Sequence, residues 1–145
     1  MTVRIMFLVG VCIGVMLILA TLRLTDRAAA AAVSGAAIYA DRCAICHESS
    51  GEGVTGTFPP LARNPHVTAS DASAAIVAVL NGMLVDITVR GHRYVGGMPG
   101  WRNWLSDSDV AAVVTYIRTS WGNHASAVSP AQVARIRGST STVTP

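Results

Sequence analysis

Apolar residues recur at Val110, Val113, Val114 and Ile117, the i, i+3, i+4, i+7 spacing of one helix face. Ser106-Asp-Ser-Asp109 just ahead of them is a capping-box pattern, and Trp121-Gly122-Asn123 closes the segment. A second apolar cluster, Ile76, Val77, Val79 and Leu80, follows Ser70 and Asp71, either of which can cap it. It stops at Asn81-Gly82, a usual C-terminal signal. Ser34 caps a shorter segment running from Gly35 to about Ala44. Ser129-Pro130-Ala-Gln132 starts one more short helix, and Gly138–Pro145 reads as a disordered tail. Between these elements, residues 83–104 hold four glycines and one proline and read as loop. No stretch reads as a strand, and no internal repeat is present.

One apolar stretch has no periodicity. Ile5 to Leu22 is an uncharged run of eighteen residues between Arg4 and Arg23. As a helix it is about 27 Å long, close to the ~30 Å hydrocarbon core of a bilayer. A secretory signal has a shorter apolar stretch, roughly 7–15 residues, so residues 1–27 are read as a membrane anchor rather than a removed signal. The alanines at 28–32 still offer small residues for cleavage, which keeps the signal-peptide alternative open. Cys12, inside the run, is read as a buried apolar residue. The arginines at 4, 23 and 27 flank the run on both sides and do not orient it.

From Ala28 on there are enough residues for one small core. The chain has 11 basic and 8 acidic residues, and three of its arginines surround the anchor. No basic run and no lysine occur, which excludes a nucleic-acid surface.

The chemistry is concentrated in CAICHESSGEGVTG, residues 43–56. Cys43, Cys46 and His47 form C-x-x-C-H, the pattern of covalent haem attachment. Gly51, Gly53 and Gly56 form G-x-G-x-x-G, but no strand precedes them and Pro59-Pro60 follows, so the dinucleotide βαβ context is missing. The glycines are therefore read as a tight loop. A thioredoxin-like thiol pair lacks the same βαβ context. Zinc lacks a second ligand pair, because His66, His92 and His124 stand alone. In the haem reading the two thiols add to the two vinyl groups, and the His47 imidazole lies on the iron. Its other nitrogen then donates to a backbone carbonyl, for which Pro59 and Pro60 are candidates. Haem c is attached on the outer side of a bacterial membrane, which puts the N-terminus inside and the domain in the periplasm.

The second axial ligand decides what such a haem does. Met98 sits in Gly96-Gly-Met-Pro-Gly100, where glycines permit close backbone approach and the proline stiffens the loop. A thioether ligand raises the reduction potential. Met83, directly after a helix stop, and His92, which would give a bis-histidine haem, are the competitors. A six-coordinate haem without a nearby acid–base pair points to electron transfer. An open or labile sixth position would point instead to a peroxidase or gas sensor. Arg90, His92 and Arg93 make a basic cluster before Met98, suited to an acidic partner or a haem propionate, or simply solvated. Trp101 is a second candidate for a propionate or for packing, and Trp104, Trp121 and the valine stripe are read as core.

Gly35, Tyr39, CAICH, Phe58-Pro-Pro-Leu61, Gly96-Gly-Met-Pro-Gly100 and LSDSDVAAVVTYIR together resemble a class I cytochrome c over about residues 34–121. G-x-G-x-x-G-x-FPPLA-x-N-P and TYIRTSWGN followed by VSPAQVARIR are similar to the last haem domain in the cytochrome subunits of membrane-bound bacterial alcohol and sugar dehydrogenases. Those subunits carry three such domains, and this chain has one. The resemblance implies an all-α fold of three to five short helices around one covalent haem c. It also implies that the first and last helices cross near Gly35 and Tyr39 against Tyr116, and that Cys43, Cys46, His47 and Met98 are the cofactor residues. The expected organisation is an anchor at 1–27, a linker at 28–33, the cytochrome domain at 34–124, and a short helix and tail at 125–145. The expected function is that of an electron-transfer protein, not an enzyme. It is a single-pass, inner-membrane monohaem cytochrome that carries electrons from a periplasmic or membrane-bound dehydrogenase to quinone or a terminal oxidase. The alternative is a permanent subunit of a larger oxidoreductase or oxidase complex. Gly10 and Gly14 in the anchor, a G-x-x-x-G pair, lean toward the latter.

Overall fold

The computed structural model describes residues 34–140 and, outside that range, Met16. The anchor expected over 1–27 and the linker at 28–33 lie outside the described residues. Among the described residues no helix is long and apolar enough to cross a membrane.

Six helical segments and one hairpin follow in order: α1 Gly35–Arg42, α2 Ala44–His47, α3 Pro65–Thr68, α4 Ser73–Asn81, β1 Met83–Val89, β2 His92–Met98, α5 Asp107–Thr119 and α6 Pro130–Ser139. The caps sit where side-chain oxygens are available. The Ser34 hydroxyl accepts from the Ala37 amide at 3.2 Å. Ser106 with Asp109, and Ser129 with Gln132, each close a full capping box. α4 differs from expectation: Ala72 takes the cap position, and the Asp71 carboxylate one residue earlier accepts from the Ser73 amide at 2.9 Å.

α1 and α5 cross at a glycine. A Cβ on Gly35 would lie 2.1 Å from the Ala112 carbonyl oxygen, so only a bare backbone permits this approach. Tyr39 and Tyr116 pack beside the crossing with ring centroids 5.5 Å apart and planes tilted by 50°, and Trp121 completes the cluster at 4.8 Å from Tyr39. The core joins Ile38 and Tyr39 of α1, Ile76 and Leu80 of α4, the α5 stripe Val110, Val113, Val114 and Ile117, and Val133 of α6. α6 is thus part of the same core, packed on α4 and α5. Gly138 and Ser139, expected in a disordered tail, continue this helix; residues 141–145 lie outside the described range.

The all-α expectation is corrected by the hairpin. β1 and β2 pair antiparallel in full register from Met83↔Met98 to Val89↔His92, over residues read as loop. Val85-Asp-Ile-Thr-Val89 carries a period-2 alternation. The two-residue turn Arg90-Gly91 has φ of 52° and 82°, the positive pair that a tight antiparallel turn requires. Directly opposed residues share a face. Tyr94 and Val89 are buried on one face, while Leu84, 94% exposed, and Val95 stand on the other. Among residues 34–140 there are six helical segments, two of them only four residues long, against the three to five expected.

Candidate functional site

α1 ends at Arg42, Cys43 caps it, and the chain restarts as the single turn α2, which carries Cys46 and His47. Both thiols are free and half-buried. His47 Nδ1 lies 2.9 Å from the Pro59 carbonyl oxygen. A carbonyl only accepts, so Nδ1 carries the proton and Nε2 keeps its lone pair for a metal. Burial lowers the His47 pKa from its ordinary value, only partly offset by the bond to Pro59, and keeps the ring neutral. Burial pushes the Cys43 thiol up to about 11, with the neighbouring Cys46 adding to the rise. A redox-active pair needs the opposite shift, toward thiolate. Among the described residues no three His, Cys, Asp or Glu side chains gather as a metal cluster. The donor set therefore fits a haem held by two thioethers and one imidazole, and it fits neither zinc nor thiol exchange.

The loop that carries Pro59 is built around glycine. Gly51 and Gly53 have φ of 69° and 62°, and Cβ atoms there would lie 2.5 Å from the Trp121 ring and 2.3 Å from the Phe58 carbonyl oxygen. The Gly51 carbonyl accepts from the Leu61 and Ala62 amides at 2.7 and 2.9 Å, and the Gly53 amide donates to the His47 carbonyl at 3.0 Å. Each bond draws the segment after the histidine back onto it, which brings Pro59 over the imidazole. Glu48, at φ 60°, makes the turn out of α2, and its carbonyl accepts from the Tyr39 hydroxyl at 2.7 Å. The Trp121 indole donates to the Ser49 carbonyl at 3.1 Å. The aromatic cluster at the helix crossing thereby grips the attachment turn directly.

Met98 ends β2, partly buried against the core. Its cross-strand partner is Met83, which is 40% exposed rather than packed. His92 is six residues from Met98 on the same strand, about 20 Å away. An iron near one is therefore out of reach of the other. The tip of the hairpin faces the attachment loop. Glu52, Gly53 and Pro60 line one wall of a shallow pocket of about 190 Å³, and Arg90, His92 and Tyr94 line the other. The structure thus brings the hairpin against the loop that orients His47.

The basic cluster is not a free patch. Arg90 pairs with Glu52 at 2.6 Å, and Arg93 holds Asp86 through two bonds of 2.8 Å. Trp101 packs against the core beneath the Arg42 guanidinium, 5.3 Å from its ring centroid. Trp104 is not core: it is 73% exposed. The turn that bonds the Leu105 amide to the Trp101 carbonyl puts residues 101 and 105 inward and leaves 104 outside.

Sequence reasoning missed three buried polar anchors. The Asn64 amide donates to the Pro60 carbonyl at 2.7 Å. Asn123 donates to the Leu61 and Ile117 carbonyls and accepts from the Arg63 amide. Arg118, fully buried, donates to the carbonyls of Val67, Ala69 and Ser126. Only the FPPLA-x-N stretch hinted at the first.

The Cytochrome c family model matches residues 32–121. The chain is 40% identical over 105 residues to the alcohol dehydrogenase (quinone) cytochrome c subunit of Gluconobacter oxydans, covering 72% of this chain and 22% of that protein. It is 39% identical over 98 residues to cytochrome c-552 of Thermus thermophilus, covering 66% of this chain and 65% of that protein. It is 39% identical over 108 residues to the gluconate 2-dehydrogenase cytochrome c subunit of Pantoea cypripedii, covering 72% and 24%. The chain thus spans about a quarter of the length of the dehydrogenase subunits it matches.

Proposed function

The chain belongs to the cytochrome c family, and we propose that it is a membrane-anchored carrier of single electrons. Its cofactor is covalently bound haem c, which supplies one-electron exchange between ferric and ferrous iron. In this reading Cys43 and Cys46 make the thioether links, His47 Nε2 binds one face of the iron, and Met98 binds the other. The observation that carries the reading is the 2.9 Å bond from His47 Nδ1 to the Pro59 carbonyl beside two free thiols. That bond fixes the tautomer and orients the ring, so His47 would present Nε2 to the iron already positioned. Met98, at the root of the hairpin, supplies the soft ligand that favours ferrous iron.

Residues 1–27 anchor the domain by a single pass to the bacterial inner membrane, with the haem domain in the periplasm. The donor is a periplasmic or membrane-bound dehydrogenase, and the acceptor is quinone or a terminal oxidase. The second reading, a fixed electron-transfer subunit of a larger dehydrogenase or oxidase complex, is favoured by the names of the relatives. These include a cbb3-type oxidase subunit CcoP, 27% identical over 105 residues.

Acid–organic extraction of the purified protein tests the cofactor. Haem stays on the polypeptide, and Cys43→Ala with Cys46→Ala releases it; haem that extracts from the native protein contradicts the reading. Intact mass of the protein from native membranes tests the anchor, since a mature chain starting near Ala30 marks residues 1–27 as a removed signal.

A further inference from the structure

The loop that follows Met98 is not held by the haem side of the molecule alone. Its backbone runs against the end of α4. A Cβ on Gly82 would lie 2.4 Å from the Met98 carbonyl oxygen, and one on Gly100 would lie 2.5 Å from the Asn81 carbonyl carbon. The Trp101 and Arg102 amides donate to the Val79 and Leu80 carbonyls, both at 2.9 Å, using acceptors that the helix end leaves open.

Beyond this point two arginines cross. From the loop, Arg102 Nε donates to Asn81 Oδ1 at 2.9 Å and Nη1 to the Arg137 carbonyl at 3.0 Å. Its Nη2 donates to the Thr140 carbonyl and hydroxyl oxygens, both at 2.7 Å. From α6, Arg137 Nη1 donates back to the Arg102 carbonyl at 2.6 Å and Nη2 to the Leu105 carbonyl at 2.8 Å, while Nε holds Asp107 at 2.7 Å. Each guanidinium binds the other residue's carbonyl. All these contacts are part-buried, where charge-assisted bonds are stronger than at the open surface. The Arg102 charge also sits at the C-terminal end of α6, the favourable end of the helix dipole. α6 itself is seated by Val133, fully buried, so the far end of the latch is fixed in the core.

We propose that α6 is a latch on the sixth-ligand loop, and that Arg102 and Arg137 are positioning residues that set how readily Met98 leaves the iron. The proposal rests on Met98 being that ligand. Met98 leaves when residues 98–105 swing away from α4, a local opening that does not require the whole domain to unfold. The bonds that Arg102 makes, and those from Arg137 to the Arg102 and Leu105 carbonyls, must break for that swing, so the latch lowers the open population. A competing ligand senses that population, because its apparent affinity is its intrinsic affinity scaled by the open fraction.

The experiment titrates the ferric, haem-loaded full chain with imidazole, well below its melting temperature. Arg102→Gln and Arg137→Gln each tighten apparent imidazole binding roughly tenfold, equivalent to about 1.4 kcal/mol of easier opening. The double variant gains little more than either alone, because the two act as one unit. Arg137→Lys, which keeps a charge near Asp107 but cannot span both carbonyls, moves the same way by less. Val67→Ala, a core truncation in α3, lowers the melting temperature without changing imidazole affinity; a purely structural role for the arginines would make affinity follow melting temperature in all variants. If Met98→Ala abolishes the methionine–iron band but both arginine variants bind imidazole within twofold of the native protein, the latch is overturned and the ligand reading stands. If Met98→Ala leaves the band unchanged, the ligand reading fails and the latch with it.

Discussion

In the attachment segment, residues 43–62, backbone carbonyls are tied both across the segment and to the aromatic cluster outside it. His47 is tied to Pro59, Glu48 to Tyr39, Ser49 to Trp121, and Gly51 to Leu61 and Ala62. In the hairpin, residues 83–98, the ladder bonds go mostly to its own partner strand, and only Val89 and Tyr94 are buried. The hairpin is held at its two ends: at its root by the packing of Gly82 and Gly100, and at its tip by Arg90 on Glu52. On the proposed assignment, the molecule therefore holds one iron ligand, His47, through a dense network and carries the other, Met98, at the root of the hairpin. An electron carrier gains from the first because a ligand that does not move adds nothing to reorganisation on electron transfer. The second makes ligand strength adjustable without touching the attachment site.

The contrast breaks most sharply at glycine. Gly51→Ala puts a methyl 2.5 Å from the Trp121 ring at a φ of 69°, so both strain and overlap act. We expect a loss of about 3 kcal/mol or more, from positive-φ strain and overpacking together, measured by denaturant unfolding. Gly91→Ala, at φ 82° in the hairpin turn with open space around it, costs only the backbone term of about 1 kcal/mol. Equal losses at the two sites would mean that the hairpin is as tightly built as the attachment loop.

A smaller test compares side chains. Tyr39→Phe removes the hydroxyl that holds the Glu48 carbonyl and is expected to cost about 1 kcal/mol. Asp86→Asn breaks the bidentate Arg93 pair on the exposed hairpin face and is expected to leave the melting temperature unchanged, as surface pairs usually do. A larger effect from Asp86→Asn would show the hairpin face to be part of the core's support.

The smallest effect concerns the tip. The hydrogen bond from Arg90, with Arg63 adding charge, holds the Glu52 carboxyl below its ordinary value. A depressed folded-state pKa stabilises where both states are ionised, above the ordinary glutamate value of about 4.3. As pH falls below that, the unfolded chain takes the proton first, and the contribution is gone once pH passes the lower folded value. The pair is exposed, so solvent screening keeps its worth well under about 1 kcal/mol. Glu52→Gln should therefore flatten a shallow decline in stability below pH 4.5, and added salt should do the same in the native protein. An undiminished decline in Glu52→Gln would place the acid-sensitive group elsewhere.

The attachment segment was legible because its chemistry fixes residue types at fixed spacing. C-x-x-C-H names its own cofactor, and a proline carbonyl close in sequence was the natural partner for the imidazole. The crossing of α1 and α5 was legible only through the family resemblance, which placed it near Gly35, Tyr39 and Tyr116; the close approach to Ala112 that requires Gly35 came from the structure. The hairpin was hidden by its glycines. Gly96 and Gly97 suppressed the alternation in β2, and Arg90-Gly91 lacks the Asn-Gly or Asp-Gly pair that marks such a turn. The Val85–Val89 alternation was the available signal. The crossed arginines left no mark at all, because Arg102 and Arg137 are 35 positions apart and bind backbone, which carries no sequence pattern. Trp104 misled for a related reason: its place is set by the turn over Trp101, not by its own apolar character.

In the proposed reading His47, fixed by Pro59, and Met98, at the root of the hairpin, hold one covalent haem. The ferric absorption spectrum of the native protein, Met98→Ala and Met83→Ala tests it most directly. Methionine on ferric iron gives a weak band near the red end. Met98→Ala is expected to remove this band, open the ferrous iron to carbon monoxide and lower the potential, and Met83→Ala to change none of these. A native protein without the band has no methionine on its iron, and a spectrum that responds to His92→Ala and not to Met98→Ala marks a bis-histidine haem; either result rules out Met98 as the ligand.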